Sequence, residues 1–317
     1  MGDLIMKLLT FEEDGQLKAG VKTDHGVLHV EKTAALFNAE VPKEIKEMIK
    51  DNVRLIPLLE SLIKKAVEEN KEELFLEEND LIYGPAVPSP EKIICVGLNY
   101  KKHAEESNMP LPDYPILFNK YNNTIAATNE VITLPFNSKE NDYEAELAIV
   151  IGKQAKNVTK DEALDYVFGY CNSNDLSSRD LQFRTHQWLL GKSCDGFCPI
   201  GPYIVTSNEV GNPNQLTIKA TVNEEVRQNS NTSDMIFKCD EIVSYISEHM
   251  TLNPGDIILT GTPEGVAFGY PENQRVYLKD GDQVTIEIEK LGKLTNIFKE
   301  DSQKINASAL DGNLINN

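Results

Sequence analysis

The segment DYEAELAIVIG, Asp142 to Gly152, opens on three carboxylates and then turns apolar. Leu147 to Ile151 is the uninterrupted run of a buried strand, closed by a glycine. Side chains two apart on a strand share a face. Glu144 and Glu146 therefore continue the face of Ala148 and Val150, while Tyr143, Ala145, Leu147 and Ile149 make the other. Both faces are otherwise apolar, so the two glutamates point toward an interior or a cleft. Ionised carboxylates roughly 6–7 Å apart along a strand repel each other where water is scarce, and either one takes a proton or a cation sits between them. With no Cys or His beside them, their oxygens suit a hard ion, Mg²⁺ or Mn²⁺. The competing reading is a protonated or lysine-paired carboxylate at a strand end. An ion calls for a third carboxylate. Asp175, in NSNDLSSRDLQ, is the natural candidate and Asp180 its competitor, although the neighbouring Arg179 can pair with Asp180 structurally.

The chain carries its own contrast. In QVTIEIEK, Val284, Ile286 and Ile288 fill one face and Gln283, Thr285, Glu287 and Glu289 the other, the pattern of a strand with a solvated side. In NYKKHAEES, His103 and Glu106 are three apart and share a helix face. That spacing by itself also describes a surface histidine beside a glutamate, and Gly-Thr-Pro in TGTPEGV by itself describes a turn.

These residues need elements to hold them. KLLTFEEDGQLKAGVKTDHGVLHV predicts three strands turned at Asp14-Gly15 and His25-Gly26. PKEIKEMIK and IPLLESLIKKAVEE have helical periodicity. The prolines of YGPAVPSPEK mark a linker or crossing segment and a boundary near residue 85. KIICVGLNY and PILFNKY read as strands, with a short helix at KKHAEES between them. Thr159 and Glu162 have capping-box spacing and predict a helix over 159–168. GYCNSND leads out as a strand ending at Asp175, QLTIKATVN and QVTIEIEKLG alternate as half-exposed strands, and SDMIFKCDEIVSYISEHM reads largely as an amphipathic helix. The expected organisation is a small N-terminal α+β domain over 1–85, a larger strand-rich domain over 86–300, and a loose polar tail over 301–317.

The 317 residues are 40% apolar and 26% charged, with a net charge of −19. So acidic a surface repels phosphate backbones, which argues against a nucleic-acid partner. No apolar run reaches membrane-spanning length, and the first residues lack the pattern of a secretory signal. Five cysteines, an odd number mostly in apolar contexts, read as the reduced thiols of a cytoplasmic protein. Cys194 and Cys198 have no second pair with which to make a zinc site.

NYKKHAEE, DYEAELAIVIGK, NDLSSRDLQ, QWLLGKSCDGFCPIGP and LTGTPEGV, in that order over about residues 90–290, resemble the fumarylacetoacetate hydrolase family. The likeness is greatest to its acylpyruvate hydrolases, oxaloacetate decarboxylases and hydroxyheptadienedioate isomerases. One departure is Ser178, where the family usually has alanine. The resemblance implies an α+β fold, a mixed β-sheet roll with a variable N-terminal domain, usually assembled as a homodimer. It implies that Glu144, Glu146 and Asp175 hold one Mg²⁺ or Mn²⁺, leaving positions for a small 2-oxo acid and drawing charge onto its keto oxygen as an enolate forms. It also makes His103 the proton acceptor oriented by Glu106, on a helix that resembles the family's lid. Lys192 is implied to stabilise the enolate or bind the substrate carboxylate, with Lys120, Arg179, Gln182 and Thr262 at substrate-facing positions. The expected reaction is cleavage of a C–C bond, by acylpyruvate hydrolysis or oxaloacetate decarboxylation. Hydroxyheptadienedioate isomerisation is the alternative, and a non-catalytic binder of metal and ligand is the reading from another class.

Overall fold

The apolar run after the glutamates becomes the strand Ala145–Ile151, buried over its whole length. Its odd-numbered residues pack into one core and Ala148 and Val150 into another. A strand clad on both sides has no solvated face, which is why its sequence does not alternate. It pairs antiparallel with Val167–Asn174 on one side and with Ile257–Leu259 on the other.

The computed structural model describes residues 6–301. The expected tail therefore lies, apart from Asp301, outside the described residues. Among these residues the fold is strand-rich α+β, with an 11-stranded sheet, a 5-stranded sheet and a two-stranded pair. The large sheet runs from Phe75–Leu76 through the hairpins of Gly26–His29, Gln16–Thr23 and Lys7–Glu13. It continues through Cys198–Thr206, Val167–Asn174, Ala145–Ile151, Ile257–Leu259 and Ile93–Gly97 to Ile116–Lys120. Most pairs are antiparallel, but Ile257–Leu259 runs parallel to Ile93–Gly97. The smaller sheet, Glu225–Asn231, Thr217–Val222, Gln283–Ile288, Gly292–Glu300 and Val131–Leu134, packs Ile218, Ile286 and Phe298 against Leu147 and Ile149.

The turns predicted near the N-terminus form where expected, and at the first of them both Asp14 and Gly15 take positive φ. The helix Asn52–Glu68 starts one turn ahead of the predicted run and buries Leu55, Leu59, Leu62, Ile63 and Ala66. The proline-rich crossing is bonded in its first half, with Gly84 N–H donating to the Thr10 carbonyl and Ala86 N–H to that of Ile200.

Two predicted helices differ from the structure. Over 159–168 there is only a 3-10 turn, Ala163–Tyr166. Thr159 does bond Glu162, at 2.7 Å, but the Gly152 amide takes the Tyr166 carbonyl, ending the helix almost as it begins. The helix in SDMIFKCDEIVSYISEHM is confined to Cys239–His249. The stretch before it is pinned to Asn99, which accepts the amides of Ile236 and Phe237.

Candidate active site

Where strand Ala145–Ile151 begins, the face that carries Ala148 and Val150 opens into a cavity of about 290 Å³, and Glu146 and Glu144 line it. Asp175 follows the neighbouring strand, and its amide donates to the Glu144 carbonyl at 2.9 Å. One carboxylate oxygen from each of Glu144, Glu146 and Asp175 lies within 4.8 Å of the others. All three side chains are buried. Asp180 stands apart, accepting from Ser138 Oγ at 2.6 Å and the Lys139 amide at 3.0 Å.

Three cations close around the cluster. Lys192 Nζ bridges Glu144 Oε2 at 2.8 Å and Asp175 Oδ2 at 2.9 Å. Arg179 Nη2 reaches Glu144 Oε1 at 2.6 Å and Asp142 Oδ2 at 2.9 Å. Lys120 Nζ lies 2.6 Å from Asp175 Oδ1 and also donates to the carbonyls of Leu176 and Lys192. Lys120 thus sits behind Asp175, with its ammonium engaged there, rather than along the cavity wall.

Charge counting decides what the cluster lacks. Asp142, Glu144, Glu146 and Asp175 bring four negative charges and Lys120, Arg179 and Lys192 three positive ones, all nearly excluded from water. Burial would raise the pKa of Glu144, but Lys192 and Arg179 outweigh it and hold the carboxyl well below the usual range. Glu146 goes the other way. Burial, then the charges of Asp175 and Glu144, push it well above the carboxylate range, and the Gly261 amide at 2.7 Å only partly offsets this. The uncompensated charge is therefore concentrated on Glu146. A cation within reach of all three oxygens would neutralise it, and an all-oxygen donor set fits Mg²⁺ or Mn²⁺.

The helix Lys101–Glu106 presents His103 to the same cavity, and its Nδ1 meets Glu106 Oε1 at 2.8 Å. His103 is 6% exposed and lines the same cavity as Glu144 and Glu146, so it is no surface histidine. Glu106 Oε2 accepts the Gly265 amide at 2.9 Å. Thr262 lines the cavity, its Oγ1 accepting from Gln228 Nε2 at 2.8 Å, which leaves its own proton to donate. Gln182 lines it too, with Oε1 held by Arg179 at 3.0 Å. The apolar side is made of Val96, Leu98, Met109, Phe118, Trp188 and Phe268. Trp188 lies edge-on to Phe118 and so close to Gly97 that a Cβ there would meet its ring at 2.7 Å. The sequence reading missed these walls, although Trp188 is the sole tryptophan and stands four residues before Lys192.

Residues 92–299 match the family model for the fumarylacetoacetate (FAA) hydrolase C-terminal domain. The chain belongs to the fumarylacetoacetate hydrolase family. The fumarylacetoacetate hydrolase domain-containing protein 2 homolog of Dictyostelium discoideum is 51% identical over 232 residues, covering 70% of this chain and 75% of that one. The mitochondrial oxaloacetate tautomerase fahd2 of Xenopus laevis is 44% identical over 235 residues, covering 74% and 72%. Among solved structures of this family, maleylpyruvate hydrolase from Sphingobium sp. SYK-6, in complex with manganese(II) and pyruvate, superposes with a TM-score of 0.73 at 29% identity over 93% of this chain and 99% of that one. The 2-hydroxyhepta-2,4-diene-1,7-dioate isomerase of Mycobacterium marinum does so with a TM-score of 0.70 at 29% identity, covering 94% and 100%. Among the described residues of this family member, no helix is long and apolar enough to cross a membrane.

Proposed function

We propose that this protein is a divalent-ion-dependent enzyme that moves a proton on a small 2-oxo acid of the oxaloacetate type, interconverting its enol and keto forms. The observation that carries this reading is that two members of an oxygen-only carboxylate cluster, Glu144 and Glu146, share one cavity with a carboxylate-oriented histidine. Mg²⁺ or Mn²⁺ held by Glu144, Glu146 and Asp175 would supply the Lewis-acid charge that polarises the keto group. Glu106 occupies His103 Nδ1, leaving Nε2 as the ring atom free to exchange a proton at C3 of the substrate. Lys192, fixed by two acids of the cluster, would supply a positive charge to the oxygen that becomes negative. Thr262 and Gln182 offer donors for the substrate carboxylate, and aromatic side chains form much of the apolar wall. The tautomerase named in Xenopus and the pyruvate bound to the Sphingobium hydrolase support a 2-oxo acid as substrate.

C–C cleavage, by acylpyruvate hydrolysis or oxaloacetate decarboxylation, is the second reading. It uses the same enolate and is favoured by the likeness to maleylpyruvate hydrolase. The free thiols of the described chain suit a reducing compartment, cytoplasm or mitochondrial matrix alike.

The test is to follow enol–keto interconversion of oxaloacetate, its decarboxylation, and acetylpyruvate hydrolysis in parallel, with Mg²⁺, with Mn²⁺ and with chelator. Ion-dependent interconversion is expected, falling about a hundred- to ten-thousandfold in His103→Ala. Faster cleavage than interconversion would select the second reading. No turnover above the chelated blank on any substrate would leave a ligand-binding protein.

A further inference from the structure

Of the three carboxylates that open DYEAELAIVIG, Asp142 is the one with no part in holding an ion or moving a proton. It is nevertheless completely buried. We propose that Asp142 is a positioning residue that clamps the loop over residues 262–269 to the ion cluster and so sets the place of Glu106. This rests on the reading of His103 and Glu106 as the proton-transfer pair.

Asp142 ends the two-residue strand Asn141–Asp142, paired with Ser177–Ser178. Its Oδ1 accepts the amides of Tyr143 at 2.9 Å and Ala267 at 2.8 Å. Its Oδ2 accepts the Phe268 amide and Arg179 Nε, both at 2.9 Å. A carboxylate with four donors has no capacity left for substrate or ion. Two of the donors are the first amides of the 3-10 turn Ala267–Gly269, and the Tyr143 hydroxyl beside it donates to the Gly265 carbonyl at 3.0 Å. The loop is therefore tied at Gly265, Ala267 and Phe268 to the residues leading into the acid strand.

That loop is also the cradle of Glu106. The Gly265 amide donates to Oε2, and at Gly269 a Cβ would sit 2.3 Å from the Glu106 carboxyl carbon and 2.6 Å from each of its oxygens. Only a glycine at 269, held where Asp142 holds it, leaves room for the carboxylate that orients His103. On its other side Asp142 holds Arg179, which reaches Glu144 of the cluster. Through the loop and through Arg179, one side chain thus links the His103–Glu106 pair to the carboxylate cluster.

Asp142→Asn keeps the shape but turns an NH₂ donor toward a ring of donors. It should speed amide hydrogen exchange over 265–269 and lower kcat at saturating ion on the order of tenfold or more. Glu106→Gln should lower kcat similarly, and the double variant should be no slower than Glu106→Gln alone, because both act through one contact. Gly269→Ala should reproduce the kcat loss without touching Asp142, which keeps the test open if Asp142→Asn folds poorly. Losses that multiply in the double variant, or exchange unchanged in Asp142→Asn, overturn the clamp, as does a Gly269→Ala enzyme of normal rate while Glu106→Gln is slow. If Glu106→Gln is as fast as wild type while Asp142→Asn still frees the loop, it is the proton-transfer reading that fails and the clamp that stands.

Discussion

Glu146 is the residue on which the charge balance of the site turns. As the member of the cluster with the raised pKa, it keeps a proton at a pH where an unfolded chain has lost one. The sign follows: without ion, raising the pH above the ordinary carboxylate range works against the fold, and binding an ion displaces the proton. Apparent affinity for Mg²⁺ or Mn²⁺ should therefore climb with pH, by up to about tenfold per unit for one released proton, until Glu146 ionises unaided. Calorimetry in two buffers of different ionisation enthalpy counts that proton. Glu146→Gln should flatten the pH dependence and weaken binding at least about tenfold, whereas Glu287→Gln, half-exposed beside Lys293, should do neither. The contrast between these glutamates is legible in the sequence, because period-two spacing reports which faces are apolar. The third carboxylate is less so: its place at the end of a predicted strand makes Asp175 the natural candidate but leaves Asp180 as a competitor, and the fold brings Asp175 to the cluster. Asp142 and Lys120 show the limit more sharply. Their partners lie up to 126 residues away, and no local pattern announces a contact made only after the sheet closes.

At the scale of elements, the acid strand is positioned by its neighbour Val167–Asn174, which must itself lie close to Cys198–Thr206. Gly169 makes that approach possible, for a Cβ there would stand 2.3 Å from the Val205 carbonyl oxygen, near an irregularity in the pairing. Gly169→Ala should destabilise the protein by about 1–3 kcal/mol through overpacking against rigid backbone. The midpoint of urea unfolding would register it, and an unchanged midpoint would mean the strands part without cost. Strands were the more legible elements: hairpins at Asp14-Gly15 and His25-Gly26 combine turn chemistry with alternation, and both cues agree. The helix over 159–168 was legible as a start signal only. Thr159 and Glu162 meet as their spacing requires, but the cap is exposed and too weak to extend a helix when the strand beginning at Val167 claims the chain.

For the whole molecule, the described residues up to 80 do not form a sheet of their own. Lys7–Glu13 pairs with Cys198–Thr206, and one buried cluster combines Met6, Leu8, Val21 and Leu59 with Ala148, Cys171 and Leu259. We expect the intact chain to unfold in a single calorimetric transition, with equal calorimetric and van't Hoff enthalpies. Two resolved transitions would establish the N-terminal segment as an independent unit. The prolines mark the crossing segment, but a proline run looks the same in a linker between separate domains and in a crossing bonded to Thr10 and Ile200.

The carboxylate cluster takes Glu144 and Glu146 from the start of one strand, Asp175 from the end of its neighbour, and its cations from three further segments, so it is assembled only when these segments come together. An ion that binds there recognises only the finished protein. By mass action it then acts as a ligand of the native state, worth about 2.7 kcal/mol at a hundred times its dissociation constant. Heated with Mn²⁺, the protein should melt roughly 5 °C higher than with chelator, and Glu146→Gln should lose most of that increment. In a cell, the supply of a divalent metal would then govern how long each copy of the enzyme survives as well as how fast it works.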